Sequence, residues 1–227
     1  MHTMTALRLI LVLGVTSCLL LLATQVRKPG KWAGLPIVWL MNLSHSRLTD
    51  WGLQNAHIQS HFTILDVGCG GGRTIQKLAT AAASGKVYGI DYAQGSIAAS
   101  RARNAELIRA GRVEITPAAV SHLPFLNNKF DLVTAVETQY YWPDLQNDMR
   151  EILRVLKPGG TLLVIAESFR KGNNNKLQGS VMNLLGATNL SAEDQRKLFS
   201  DAGFAEIMVH VENRKGWICA MGSKRRP

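Results

Sequence analysis

The chain has 227 residues, of which 46% are hydrophobic and 7% aromatic, with 26 Lys and Arg against 16 Asp and Glu for a formal net charge of +10. That apolar mass excludes a disordered polyelectrolyte or low-complexity chain, and the length suits one domain of roughly 150 to 200 residues with an extension. The charge excludes less than its size suggests, because residues 1–31 and 213–227 hold most of the excess and no acid, while residues 32–212 carry a net charge of only +1.

A nearly neutral body disfavours nucleic acid as a partner. Three cysteines, Cys18, Cys69 and Cys219, form an odd set without paired spacing, so neither a disulfide framework nor a zinc site is expected. No compact cluster of His, Asp and Glu suggests any other metal.

From Leu9 to Val26 the chain is uncharged for 18 residues, the short end of a membrane-spanning helix. A cleaved signal peptide lacks its small-residue cleavage site here, and a buried or amphipathic helix is the other alternative. Arg8 precedes the run and Arg27, Lys28 and Lys31 follow it, so an anchor would leave the carboxyl side in the cytoplasm. The expected organisation is an anchor with its basic flank over residues 1–31, a helical lid or pre-core segment over 32–60, a catalytic domain over 61–222 and a basic tail over 223–227.

The rest alternates regularly. After one or two short amphipathic helices between Leu35 and Leu53, Thr63–Val67 reads as a buried strand, Thr74–Ala83 as a helix and Lys86–Asp91 as a strand. Gly95–Ala110 reads as one helix, Arg112–Thr116 and Phe130–Val136 as strands, and Asp144–Leu156 as a helix stopped by Lys157-Pro158-Gly159-Gly160. Thr161–Glu167 is a fifth strand, Ser191–Ala202 a capped helix, and Ala205–Val211 with Trp217–Gly222 a closing strand pair. Strands alternating with helices predict a doubly wound, Rossmann-like α/β fold: a mainly parallel seven-stranded sheet with an antiparallel closing strand, plus an N-terminal hydrophobic helix.

Where the first strand turns into a helix, the chain reads Asp66-Val67-Gly68-Cys69-Gly70-Gly71-Gly72-Arg73. Glycines there let a ligand approach the backbone, and the helix start offers free N–H donors. A dinucleotide fingerprint needs glycine at the first, third and sixth positions; from Gly68 the sixth is Arg73, which weakens an NAD-linked oxidoreductase. Glycine at the first, third and fifth positions behind a strand carrying Asp66 instead resembles the class I S-adenosylmethionine-dependent methyltransferases. Asp91 ending the second strand, the Ala119-Val120-Ser121-His122-Leu123-Pro124-Phe125 loop and the Leu156–Gly160 turn extend the resemblance over roughly residues 50 to 222.

The resemblance implies a bound S-adenosylmethionine, with S-adenosylhomocysteine as product. It implies that Asp66, Gly68, Cys69, Gly70 and Gly72 form its loop, that Asp91 accepts both ribose hydroxyls, that Tyr92 lies beside the adenine and that Ala119 and Val120 wall the base. Ala119 stands where the family often has an adenine-binding Asp, so that side-chain contact is absent.

Catalytic candidates are Glu137, Tyr140 and His45. Glu137 is placed to meet the methionine end of the cofactor, to deprotonate an acceptor, or to make a structural hydrogen bond. Tyr140, Tyr141 and Trp142 form either an aromatic wall for an apolar acceptor or ordinary packing. His45, in a stretch similar to the pre-core segment of small bacterial methyltransferases, shares a helical face with Ser44 and Thr49, in a lining, capping or packing role. His122 is expected at the surface or beside the adenine.

The segment Glu137-Thr138-Gln139-Tyr140 lacks the Asn/Asp-Pro-Pro-aromatic signature of many nucleic-acid and amide methylases. The expectation is a membrane-tethered methyltransferase for a small, lipophilic acceptor; the alternative is a non-catalytic nucleotide-fold binding or scaffold protein at the membrane.

Overall fold

The computed structural model describes residues 46–167, 188 and 190–227. The expected hydrophobic anchor, His45 and Ser44 lie outside the described residues. Among the described residues, no helix is long and apolar enough to cross a membrane.

A helix α1 (Ser46–Leu53) precedes β1 (Thr63–Val67), α2 (Arg73–Ala81), β2 (Lys86–Asp91), α3 (Gln94–Arg103), α4 (Ala105–Arg109), β3 (Val113–Pro117) and β4 (Phe130–Val136). A single 3-10 turn at Gln139–Tyr141 leads to α5 (Leu145–Val155), β5 (Leu156–Glu167), α6 (Ala192–Ala202), β6 (Ala205–Glu212) and β7 (Trp217–Ser223). The seven strands form one sheet in the order β3-β2-β1-β4-β5-β7-β6, in which β7 alone runs antiparallel to its neighbours. The doubly wound, mainly parallel sheet with an antiparallel closing strand is therefore present.

Its central strands are apolar because helices cover both faces. Alternation along each strand sorts the core into two layers: Leu65, Val133, Leu162 and Val164 face one way, packing with Met149 and Phe199, while Ile64, Leu132, Leu163 and Ile165 face the other, with Ile75 and Leu78. Helix α2 buries Ile75, Leu78 and Ala79, a spacing that puts all three on one face. Helix α6 starts with the expected cap, which is a full capping box: Asp194 N–H donates to Ser191 Oγ, and Ser191 N–H donates back to Asp194 Oδ2.

Two elements differ from expectation. The helix expected over Gly95–Ala110 breaks at Asn104, whose buried amide donates to the carbonyls of Gly72 and Ser100 and so fastens the break to the glycine loop. The turn Lys157–Gly160, expected to separate helix from strand, lies within β5. Phe130 pairs with Leu156 and Leu132 already with Thr161, so the intervening residues bulge out of a strand that begins at Leu156.

Candidate active site

Chain order along the sheet reverses between β1 and β4, since β2 and β3 build outward on one side and β5 on the other. In open α/β sheets ligands bind beyond the carboxyl ends of the strands at such a reversal. A cavity of about 360 Å³ lies there, within the range of ligand sites. Loops after β1, β2, β3 and β4 line it, joined by Thr49 of α1 and by Arg73, Thr74 and Lys77 of α2.

The loop after β1 is shaped by its neighbours. Gly68 has φ of +70°, and a Cβ there would stand 2.1 Å from Thr138 Oγ1, so only glycine lets the two loops meet. Gly70 N–H donates to Asp91 Oδ2 at 3.0 Å, and Ala93 N–H donates to Asp91 Oδ1 at 2.8 Å. Asp91 thus ties the first loop to the second, and its oxygens retain lone pairs for further donors. Burial raises its pKa despite these bonds.

Asp66 is 1% exposed. Thr134, its register partner on β4, donates its hydroxyl to Oδ1 at 2.7 Å, while the buried Oδ2 has no hydrogen-bond partner. Desolvation, tempered by Thr134 and reinforced by the Asp91 charge, pushes the Asp66 carboxyl up to about 7. A buried acceptor left unmatched in a cavity wall is costly unless a ligand supplies the donor.

Glu137 sits one residue past β4 with φ of +55°, a conformation costing a non-glycine residue about 1 to 3 kcal/mol. The Tyr140 hydroxyl lies 2.8 Å from Glu137 Oε1 and 2.9 Å from the Glu167 carbonyl, to either of which it donates. The Glu167 N–H donates to Glu137 Oε1 at 2.8 Å and to the Tyr140 oxygen at 2.6 Å. This clamp fixes the carboxyl that lines the cavity. Burial pushes it up to about 8, with the Tyr140 hydrogen bond opposing and the Glu167 charge assisting.

Of the residues expected to bind cofactor, Asp66, Gly68, Cys69, Gly70, Asp91, Tyr92, Ala119, Val120 and Glu137 all line this cavity. Cys69 does so beside a side chain turned to Ser100 Oγ, 3.7 Å away, and its thiol is raised well above the ordinary range by burial. Gly72 does not line the cavity; it N-caps α2 and packs against Ser100 and Asn104. Tyr140 does not line it either, being buried behind Glu137, whereas Tyr141 and Trp142 do, together with Pro143. His122 is an exposed turn residue off the cavity, and Thr49 of α1 lines the cavity.

Sequence reasoning passed over Thr134, Lys77 and Glu167. Only Thr134 carried a signal, as a polar residue inside an otherwise apolar strand. Lys77 fastens α1 over the cavity through an ion pair with Asp50 and contacts to the Ser46 carbonyl and hydroxyl at 3.4 Å.

These residues fit a cationic nucleoside ligand: a partly paired carboxyl at Asp91, one with a single unmatched oxygen at Asp66 and, at Gly70, a loop where an added Cβ would meet nothing within 4 Å. Among the described residues no group of three His, Cys, Asp or Glu stands ready to hold a metal.

Comparison with known proteins agrees with this geometry. Residues 65–164 match the family model described as "Methyltransferase domain". The Methyltransferase GfsG of Streptomyces halstedii is 34% identical over 119 residues, 52% of this chain and 42% of that protein. A demethylmenaquinone methyltransferase of Lactiplantibacillus plantarum is 34% identical over 113 residues, 49% of this chain and 48% of the relative. The chain thus spans about half the length of the curated relatives it matches.

Among solved structures, a SAM-dependent methyltransferase from Aquifex aeolicus superposes with a TM-score of 0.69 at 20% identity, over 83% of this chain and 97% of that one. The putative methyltransferase in a Haloferax volcanii complex with the Trm112 methyltransferase activator gives a TM-score of 0.73 at 19% identity, over 86% and 96%. At such identities these structures share the fold. With the domain match and the motifs in their places on the sheet, the chain carries a stretch similar to a methyltransferase domain on the fold that S-adenosylmethionine-dependent methyltransferases share.

Proposed function

We propose that this protein transfers a methyl group from S-adenosylmethionine to a small, lipophilic acceptor, and that the segment Leu9–Val26 tethers it to a membrane with its catalytic domain in the cytoplasm. The observation that carries the activity is the cavity at the strand-order reversal, where Asp66, Asp91 and Glu137 from three separate strand ends converge. The acceptor class is supported by relatives named as methyltransferases of demethylmenaquinone, of 2-phytyl-1,4-naphtoquinone and of a sterol, and by a fold neighbour named for geranyl diphosphate.

When bound, the cofactor supplies an electrophilic methyl on a sulfonium. The chain's own work is to hold donor and acceptor in line and to exclude water. Asp91 offers its remaining lone pairs to the ribose hydroxyls, Tyr92 stands beside the adenine, and Ala119 and Val120 wall the base. Tyr141, Trp142 and Pro143 present the acceptor with an apolar wall, under the α1 helix that Lys77 fastens down.

Glu137 meets the acceptor as a hydrogen-bonding acid below its pKa of about 8 and as a proton acceptor above it. Tyr140 acts through Glu137 as a positioning residue.

The test is formation of S-adenosylhomocysteine by purified protein with pooled quinols, phenols and lipids as acceptors. Turnover with an apolar acceptor is expected; cofactor binding without turnover on any of them favours the scaffold alternative. Carbonate extraction of membranes checks the tether, and release into the soluble fraction would remove it.

A further inference from the structure

We propose that Asp66 is a proton switch for the cofactor: the carboxyl gives up a proton when a cationic centre of the ligand enters the cavity, so that binding and deprotonation are one event. The inference rests on the cofactor assignment above and concerns how that site is regulated.

The geometry is that of an acid completed by its ligand. Asp66 lines the cavity although almost wholly buried, and its Oδ1 receives a single protein donor, the Thr134 hydroxyl. Oδ2 is buried and receives none. Asp91 differs, because backbone N–H groups of Gly70 and Ala93 already support its charge.

The titratable and charged groups around Asp66 do not neutralise it. Asp91 at the end of β2 repels a negative charge on it, and the neighbouring Cys69 thiol is itself disfavoured as an anion by Asp66. Arg73 and Lys77 of α2 line the same cavity, the latter paired to Asp50 of α1. Glu137 and the Tyr92 and Tyr141 phenols complete the ionisable lining.

With a pKa of about 7 in the protein alone, Asp66 is mostly protonated at mildly acid pH. A cation near the carboxyl favours the ionised form and lowers that pKa, so protons and ligand compete for the same group. Affinity for a cationic ligand therefore rises with pH up to about 7 and levels off above.

The test is titration calorimetry of the full chain at about pH 6, in buffers of differing ionisation enthalpy. Three ligands are used: S-adenosylmethionine, S-adenosylhomocysteine and 5′-methylthioadenosine. The first has an ammonium and a sulfonium, the second only the ammonium, the third neither. Release of close to one proton per S-adenosylmethionine is expected, with affinity about fivefold tighter at about pH 7 than at about pH 6.

Release with S-adenosylhomocysteine as well identifies the ammonium as the trigger, and release with S-adenosylmethionine alone identifies the sulfonium. Asp66→Asn, which mimics the neutral acid, is expected to abolish release while Glu137→Gln retains it. Binding of S-adenosylmethionine without proton release by the wild-type protein, release with 5′-methylthioadenosine, or release that survives Asp66→Asn overturns the switch. Absence of binding by all three ligands defeats the cofactor assignment instead, so the two failures are distinguishable, and the wild-type proton count decides even where Asp66→Asn does not fold.

Discussion

At the scale of single residues, the acids of the cavity differ by their partners rather than by their chemistry. Asp91 holds two loops together through Gly70 and Ala93 while facing the cavity, so in the proposed function it serves structure and ligand at once. Asp91→Ala is expected to weaken S-adenosylhomocysteine binding by about 1 to 3 kcal/mol, through lost charge-assisted hydrogen bonds and a freed Gly70 amide; unchanged affinity in calorimetry would remove Asp91 from the site.

Tyr140 shows where residue-level reasoning from sequence stops. Its place after the fourth strand was legible, as were the positions of Asp66, Asp91 and Glu137, because strand ends and glycine turns leave a local signature. That its hydroxyl turns back to Glu137 and Glu167, and not into the cavity, depends on a β4–β5 pairing about 30 residues away, which no local pattern carries.

At the scale of elements, strands with uninterrupted apolar runs were legible nearly to the residue: β1, β2 and β4 have the expected limits. The failures fall where tertiary contacts override propensity, at the Asn104 break and at the bulge that carries Pro158 inside β5.

Helix α1 is set over the cavity by one close approach. A Cβ on Gly52 would stand 2.4 Å from Ile165 Cδ1, the Gly52 carbonyl accepts from the Cys219 thiol at 3.6 Å, and Trp51 and Trp217 meet with ring centroids 5.8 Å apart. Gly52→Ala must therefore displace Ile165 or lift α1. We expect a loss of about 1 to 3 kcal/mol, read as a lower denaturation midpoint, together with weaker cofactor binding because Thr49 leaves the wall. An unchanged midpoint would show that α1 is not seated as described.

At the scale of the whole molecule, the sheet reversal forces three carboxyl groups into one cavity, and their burial is a cost to stability. Asp66 and Glu137 have pKa values of about 7 and about 8 in the folded protein, against ordinary values of 3.8 and 4.5. Because these are acids raised on folding, the folded chain binds more protons than the unfolded one between those limits. Unfolding free energy then falls as pH rises from about 4 to about 8, the reverse of the trend from a salt-bridged carboxylate such as Glu151 beside Arg154.

The cost is of the order of a few kcal/mol per group at about pH 8. Denaturant melts across this range should show the decline in the wild-type protein, reduced in Asp66→Asn and in Glu137→Gln; a slope untouched by both substitutions would contradict the assigned burial. The same charge pattern separates body from ends. The near-neutral body and basic termini were legible by counting, while convergence of the acids required the topology.

The central claim is that this cavity is a methyl donor's site and not a dinucleotide's. Calorimetric titration of the purified chain with S-adenosylhomocysteine and, in parallel, with NAD tests it most directly. The account predicts one S-adenosylhomocysteine bound per chain and no heat from NAD; saturable binding of NAD, or of neither ligand, would contradict it.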